Sequence, residues 1–211
     1  MNTASLPPGV QRFIVDEIAP EPWRNGLGIT RTVARHPGYG PAQWRISVAD
    51  IDADAPFSAF PGMERNAVLL RGPGLALRCA DGSALRFDAL GDRARFAGEA
   101  ALHAQLGAGP ARLWNVMTAR PQWTARLALH RGGGKVSAPR DAEGATVLMV
   151  LDGEVQAMFD HCACTVTLLP GAGLILGAGA PGLQLLLLQP GATWLQTAIH
   201  PERAPAPASG S

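Results

Sequence analysis

Glycine and proline interrupt this chain so often that a long helix has nowhere to form. The sequence carries 25 glycines and 18 prolines in 211 residues. They punctuate it at intervals of roughly eight to twelve positions, and short apolar or alternating runs lie between them. Glycine and proline both disfavour helix interiors, and regular turn spacing is the signature of an all-β sandwich or barrel. The length suits one large domain or two small fused ones.

The individual runs agree with that reading. From Trp44 to Ala49, the side chains of Trp44, Ile46 and Val48 fall on one strand face, and those of Arg45, Ser47 and Ala49 on the other. Leu75, Leu77 and Cys79 alternate up to Asp81-Gly82, and Leu85 and Phe87 follow, which predicts a tight hairpin. Ala111–Met117, Trp123–His130, Ala145–Leu151, Glu154–Phe159, Cys164–Leu169 and Leu183–Leu188 are further expected strands.

A weak repeat runs through them. Ala67–Leu77 and Thr146–Met158 each read as apolar strand, glycine turn and alternating strand, with Gly72 and Gly153 81 residues apart. Gly91 and Gly171 follow comparable strands at a spacing of 80. Repetition at this period predicts two similar β-units, here 10–130 and 131–200. Residues 131–143 (RGGGKVSAPRDAE) are the expected linker, and 201–211 (PERAPAPASGS) has the composition of a disordered tail.

Net charge is +1, with no basic block, so neither nucleic acid nor an anionic membrane is an expected partner. The longest apolar run, Leu183–Leu188, is too short to span a bilayer. Cys79, Cys162 and Cys164 do not make a disulfide framework, and the N-terminus has no signal-peptide pattern. The expected location is the cytoplasm.

Familiar catalytic chemistry is hard to assemble from these residues. The five histidines include no His-x-His pair. His161, Cys162 and Cys164 could ligate zinc, but a structural site needs a fourth ligand, and their spacing points them apart on an extended chain. No metal and no cofactor is expected. Ser47 and Ser58 lie outside any G-x-S-x-G elbow, so backbone or ligand contacts suit them better than nucleophilic attack. Asp50, Asp52 and Asp54 at a period of two read as a solvated strand face.

Three segments are chemically richer than packing requires. Trp44–Arg65 (WRISVADIDADAPFSAFPGMER) starts as an alternating strand and then mixes aromatics, serine and arginine in a turn-rich loop. Loops on a rigid scaffold are where binding residues gather. Trp23–Thr30 (WRNGLGIT) has closely spaced glycines that suit a tight turn or an anion cradle. Trp114–Met117 (WNVM) sets Asn115 in an apolar strand, where a buried amide needs a partner.

Taken in order, these segments resemble the HutD/Ves family. Its P-W-[KR]-N-G-G-G-x-T motif stands here as Pro22–Thr30, and its W-R-x-S-x-A as Trp44–Ala49. D-G-P-F-S-x-F-P-G-x-D-R stands as Asp54–Arg65, L-L-x-G-x-G-x-x-L as Leu69–Leu77, and N-x-M as Asn115–Met117. Leu27 and Ala55 replace glycines, and Glu64 replaces an aspartate. Leu27 narrows any backbone approach at the first motif.

The resemblance implies an all-β, bicupin-like fold of two antiparallel β-barrel or jelly-roll halves. It also implies a regulatory or ligand-sensing role in histidine utilisation, with a small carboxylate such as formylglutamate as ligand. On that reading Arg45 and Arg65 would grip the carboxylate. Asn25, Thr30, Ser47, Ser58 and Asn115 would add neutral polar contacts, and Trp23, Phe57, Phe60 and Met117 apolar walls. Arg45 or Arg65 could instead form structural salt bridges with Glu64 or Asp54. A metal-independent enzyme using Glu64, Asp54 or His103, or a protein-interaction module, are the alternatives, and a homodimer is compatible with each.

Overall fold

The computed structural model describes residues 5–23, 26–36 and 43–202. Among them the chain is almost entirely strand, with a single 3-10 turn at Val15–Glu17. The first strands are β1 (Val10–Ile14), β2 (Glu21–Pro22), β3 (Gly28–Arg35), β4 (Trp44–Ile51), β5 (Ala55–Pro56) and β6 (Met63–Arg71). Then come β7 (Leu75–Cys79), β8 (Ala84–Phe87), β9 (Arg93–Ala97), β10 (Leu102–Leu106) and β11 (Ala111–Ala119). The remainder are β12 (Trp123–His130), β13 (Gly134–Val136), β14 (Ala145–Asp152), β15 (Val155–Phe159), β16 (Thr165–Leu168), β17 (Ala172–Leu176), β18 (Leu183–Leu187) and β19 (Thr193–Pro201).

These strands form four antiparallel sheets. The first half has a six-stranded sheet, β2-β3-β4-β11-β6-β9, facing a four-stranded one, β5-β10-β7-β8. The second has a five-stranded sheet, β1-β17-β14-β19-β12, facing β13-β18-β15-β16. The order β4-β11-β6-β9 matches β12-β19-β14-β17, and the small sheets match strand for strand, so the weak sequence repeat reflects a structural duplication to which β2 and β3 add an edge in the first half and β1 in the second. Hydrogen bonding leaves the facing sheets separate. Among the described residues each half is therefore a jelly-roll-like sandwich without hydrogen-bonded closure into a barrel.

Hydrogen bonding does not follow the 10–130 and 131–200 division. Strand β1 pairs with β17, and β12 with β19, so both ends of the first segment contribute strands to the second half. The expected linker also carries β13, which pairs with β18 and buries Val136. Three glycines hid this strand, since local composition marks flexibility and is blind to a partner arriving from residue 183 onward.

Three apolar clusters hold the layers together. One fills each sandwich, and the third lies between the two large sheets. Trp44, Ile46, Val48, Trp114 and Val116 of the first half meet Phe13, Trp123, Val147, Met149 and Leu195 across that central interface. The Trp114 indole N–H donates to Thr197 Oγ1 at 3.0 Å, which satisfies the polar atom of that buried ring. Strands β11 and β14 are buried on both faces, which is why their sequences run nearly continuously apolar. The alternation read in Trp44–Ala49 has the same cause: one face enters the central interface and the other looks into the first sandwich.

Two local expectations change. Asp50 is not solvated but accepts from the guanidinium groups of Arg31 and Arg112, and Arg112 also pairs with Asp16 at 2.9 Å. Strand β4 ends at Ile51, so Asp52 and Asp54 leave its face, and Asp54 accepts from Leu106 N instead. Cys162 and Cys164 are joined by a disulfide in the turn before β16, which removes both thiolates from the suggested zinc set. Among the described residues no three His, Cys, Asp or Glu side chains gather as a metal site. None of the described helices is long and apolar enough to cross a membrane.

Candidate functional site

The inner face of β4, β11 and β6 is a grid of cross-strand rows. Strand register sets Arg45 and Arg65 on either side of Met117, then Ser47 and Ala67 beside Asn115, then Ala49 and Leu69 beside Leu113. Above this grid opens a cavity of about 790 Å³. Its walls include Trp23, Thr30, Arg45, Phe57, Ser58, Phe60, Arg65, Asn115 and Met117. Nine of the eleven residues expected from sequence thus surround one space. Ser47 lies beneath it, 1% exposed, with an Oγ that finds no partner. Asn25 lies outside the described residues.

Arg65 does not close a loop as expected. It is the third residue of β6 and only 4% exposed. Its guanidinium lies 5.1 Å from the Phe57 ring, 5.3 Å from Phe60 and 5.1 Å from Phe96. It donates to the Ser58 carbonyl at 3.1 Å and to Asn115 Oδ1 at 3.5 Å, while Nε has no partner. Arg45 is half-buried, with Nη2 3.9 Å from Met117 Sδ and its guanidinium 5.7 Å from the Phe60 ring.

Neither arginine is ion-paired among the described residues. Glu64 pairs with Arg95 at 3.0 Å, which removes the anticipated structural partner. Aromatic faces and amide oxygens compensate part of the cost of burying Arg65, but they supply no countercharge. Burial and the neighbouring Arg45 charge together lower the Arg65 pKa to about 10, so the group stays cationic at neutral pH. Two cations flanking one methionine, one of them desolvated, make a strongly positive spot in a low-dielectric wall.

The loop after β5 forms the roof. Phe57 N donates to Leu102 O, and Phe60 N to Gly98 O, so both aromatics hang from fixed backbone. At the other end, the Trp23 indole N–H donates to Thr30 Oγ1 at 2.9 Å, and its ring meets Phe57 edge-on. Gly28 permits this closure: a Cβ there would lie 2.6 Å from the Asp50 carbonyl and 3.1 Å from Trp23. The close approach foreseen in WRNGLGIT is therefore to the chain itself.

Glu21, Pro22, Ala49, Pro56, Ala59 and Leu113 also line the cavity without having been foreseen. Phe96 was missed as well. Ala49 and Leu113 were available from strand alternation, but Glu21 and Phe96 arrive through pairings that leave no local pattern. The proposed titratable groups Asp54, Glu64 and His103 are not among the lining residues.

The comparisons fit this geometry. The HutD family profile matches residues 15–195. The chain belongs to the HutD family. A 21.2 kDa uncharacterised protein encoded 3′ of hutC in Pseudomonas putida is 37% identical over 112 residues, 50% of this chain and 56% of that protein. Protein Ves of Escherichia fergusonii is 39% identical over 101 residues, 46% of this chain and 51% of Ves. The aligned region thus spans about half the length of these curated HutD relatives.

The solved structure of HutD from Pseudomonas fluorescens SBW25 superposes with a TM-score of 0.75 at 22% identity, covering 92% of this chain and all of that one. A cupin barrel-domain protein from Leptotrichia buccalis has a TM-score of 0.59 at 12% identity over 91% of this chain and 96% of its own. At such identities the likeness concerns the fold, and it makes this HutD-family fold cupin-like.

Proposed function

We propose that this HutD-family protein binds a small carboxylate metabolite in the first-half cavity and serves a regulatory role in histidine utilisation. One observation carries the reading: Arg65 is buried in the cavity wall beside Arg45, and neither has a carboxylate partner among the described residues. A desolvated guanidinium without a countercharge is costly, and an incoming carboxylate would supply that charge with bidentate geometry. Asn115 and Ser47 sit on the next row as neutral polar groups, and Phe57 and Phe60 would exclude water from the ion pair. A charge-assisted hydrogen bond is worth about 1.5–3 kcal/mol. Two arginines would therefore suit micromolar to millimolar sensing, in keeping with a metabolite sensor.

The link to histidine utilisation rests on family membership and on the hutC-region relative. Binding is preferred to catalysis because the groups put forward for acid–base work point elsewhere, Glu64 to Arg95 and Asp54 to the β10 backbone. Isothermal titration calorimetry with formylglutamate, glutamate and urocanate tests the reading. At least one should bind in the micromolar to millimolar range, and Arg65→Met should abolish the heat. No heat from any of the three at concentrations well above the metabolite range removes the ligand class.

A further inference from the structure

The cavity is electrically polar along its length. Its cationic end is the Arg45–Met117–Arg65 row. Four residues further along β4, Ala49 pairs with Thr30, and Thr30 pairs with Glu21. Four residues of strand span about 13 Å. Glu21, Pro22, Trp23 and Thr30 therefore wall the opposite end of the same space.

Glu21 is the one carboxylate among the described lining residues. Its side chain is exposed at the rim of the cavity and turns toward Thr32, on the Ser47 row, whose Oγ1 donates to its Oε1 at 3.1 Å; the second oxygen has no partner among the described residues. No described arginine, lysine or histidine is ion-paired with it. Beside it, the Trp23 indole N–H is already engaged by Thr30. What Trp23 can still offer a ligand is its π-face, which attracts cations. A carboxylate beside an aromatic wall recognises a protonated nitrogen. It repels a second carboxylate.

We propose that the cavity selects bipolar ligands: carboxylates whose far end carries a protonated or strongly N–H-donating nitrogen. The anionic end sits between Arg45 and Arg65, and the nitrogen sits between Glu21 and Trp23. The inference rests on the carboxylate-binding reading and narrows it, since a simple dianion would bring like charge against Glu21. The length of the cavity favours charges separated by several bonds over the adjacent pair of a short α-amino acid.

Calorimetry on the full chain with δ-aminovalerate and glutarate isolates the far-end group, because the two share a five-carbon skeleton with one carboxylate in common. The expected result is about tenfold tighter binding of δ-aminovalerate, the usual scale of one charge-assisted contact at a partly wet site. Glu21→Gln can keep the contact with Thr32 while losing the charge. It should abolish that preference, with an unchanged melting temperature and undiminished glutarate affinity. Equal or tighter binding of glutarate by the native protein overturns the proposal, as does a preference that survives Glu21→Gln. If neither probe binds while formylglutamate does, the bipolar selection falls and the carboxylate site stands. If no carboxylate binds at all, both fall.

Discussion

The two halves share a template and differ in what fills it. In the first, the inner rows are Arg45–Met117–Arg65, Ser47–Asn115–Ala67 and Ala49–Leu113–Leu69. In the second, the corresponding rows are Arg126–Ala198–Thr146, Ala128–Gln196–Leu148 and His130–Trp194–Val150. Every position moves by the 81 residues that separate Gly72 from Gly153. Where the first half has Ala67 and Leu113, the second has Leu148 and Trp194, both fully buried in its apolar cluster. The Trp194 ring stacks on His130 at 3.9 Å, and its N–H donates to the Gly132 carbonyl at 2.8 Å. Where the first half buries Arg65, the second places Thr146. Side-chain volume and charge at a few interior positions turn one sandwich into a core and leave the other open.

The comparison can be broken from either side. Trp194→Ala should produce the largest effect, a loss of about 3–5 kcal/mol in denaturant unfolding, because it hollows a filled interior. Ligand binding in the first half should survive it under folding conditions. A loss below about 1 kcal/mol would mean that the second interior is not a packed core.

The reverse exchange, Leu113→Trp, writes the second half's plug into the cavity wall and should abolish calorimetric binding while the protein stays folded. Arg65→Met should also abolish binding, yet leave stability equal or raised by about 1–4 kcal/mol, because it removes a buried charge that lacks a counterion. A marked destabilisation would instead assign Arg65 a structural role. Gly28→Ala should cost about 1–3 kcal/mol, since its Cβ would press on the Asp50 carbonyl, and should loosen the Trp23 wall.

The smallest effect is on pH dependence. The unfolded chain holds the Arg65 proton more tightly than the folded chain does, so this group opposes folding while charged and its penalty fades as pH rises above about 10. Carboxylate affinity should run the other way, level through neutral pH and falling above about 10 as the guanidinium discharges. Affinity measured against pH, compared with Arg65→Met, checks the sign.

Much of this is legible in the sequence. Alternation in Trp44–Ala49 separated the side chains of the central interface from those of the cavity floor, because a strand enforces a period of two wherever both faces are buried differently. The motif order brought Trp23, Phe57, Phe60 and Asn115 forward together, and one cavity collects them. Arg65 was identified as a residue but misplaced as a loop, since Pro61-Gly62 conceals how soon β6 begins. Glu21, Phe96 and the pairing of β1 and β12 with strands of the second half are not visible there, because each depends on a pairing partner distant in sequence.

By itself the sequence determined an all-β duplicated chain, the residues available for an anion site and the lack of a histidine pair for metal. These follow from local physics: turn propensity, strand periodicity and side-chain chemistry. Only the tertiary structure decided that Arg65 is buried with no ion pair among the described residues, that Glu64 is spent on Arg95, and that Glu21 lines the same cavity as the two arginines. Burial and ion pairing depend on what surrounds a side chain in space, and in a β-sandwich most of those neighbours come from elsewhere in the chain.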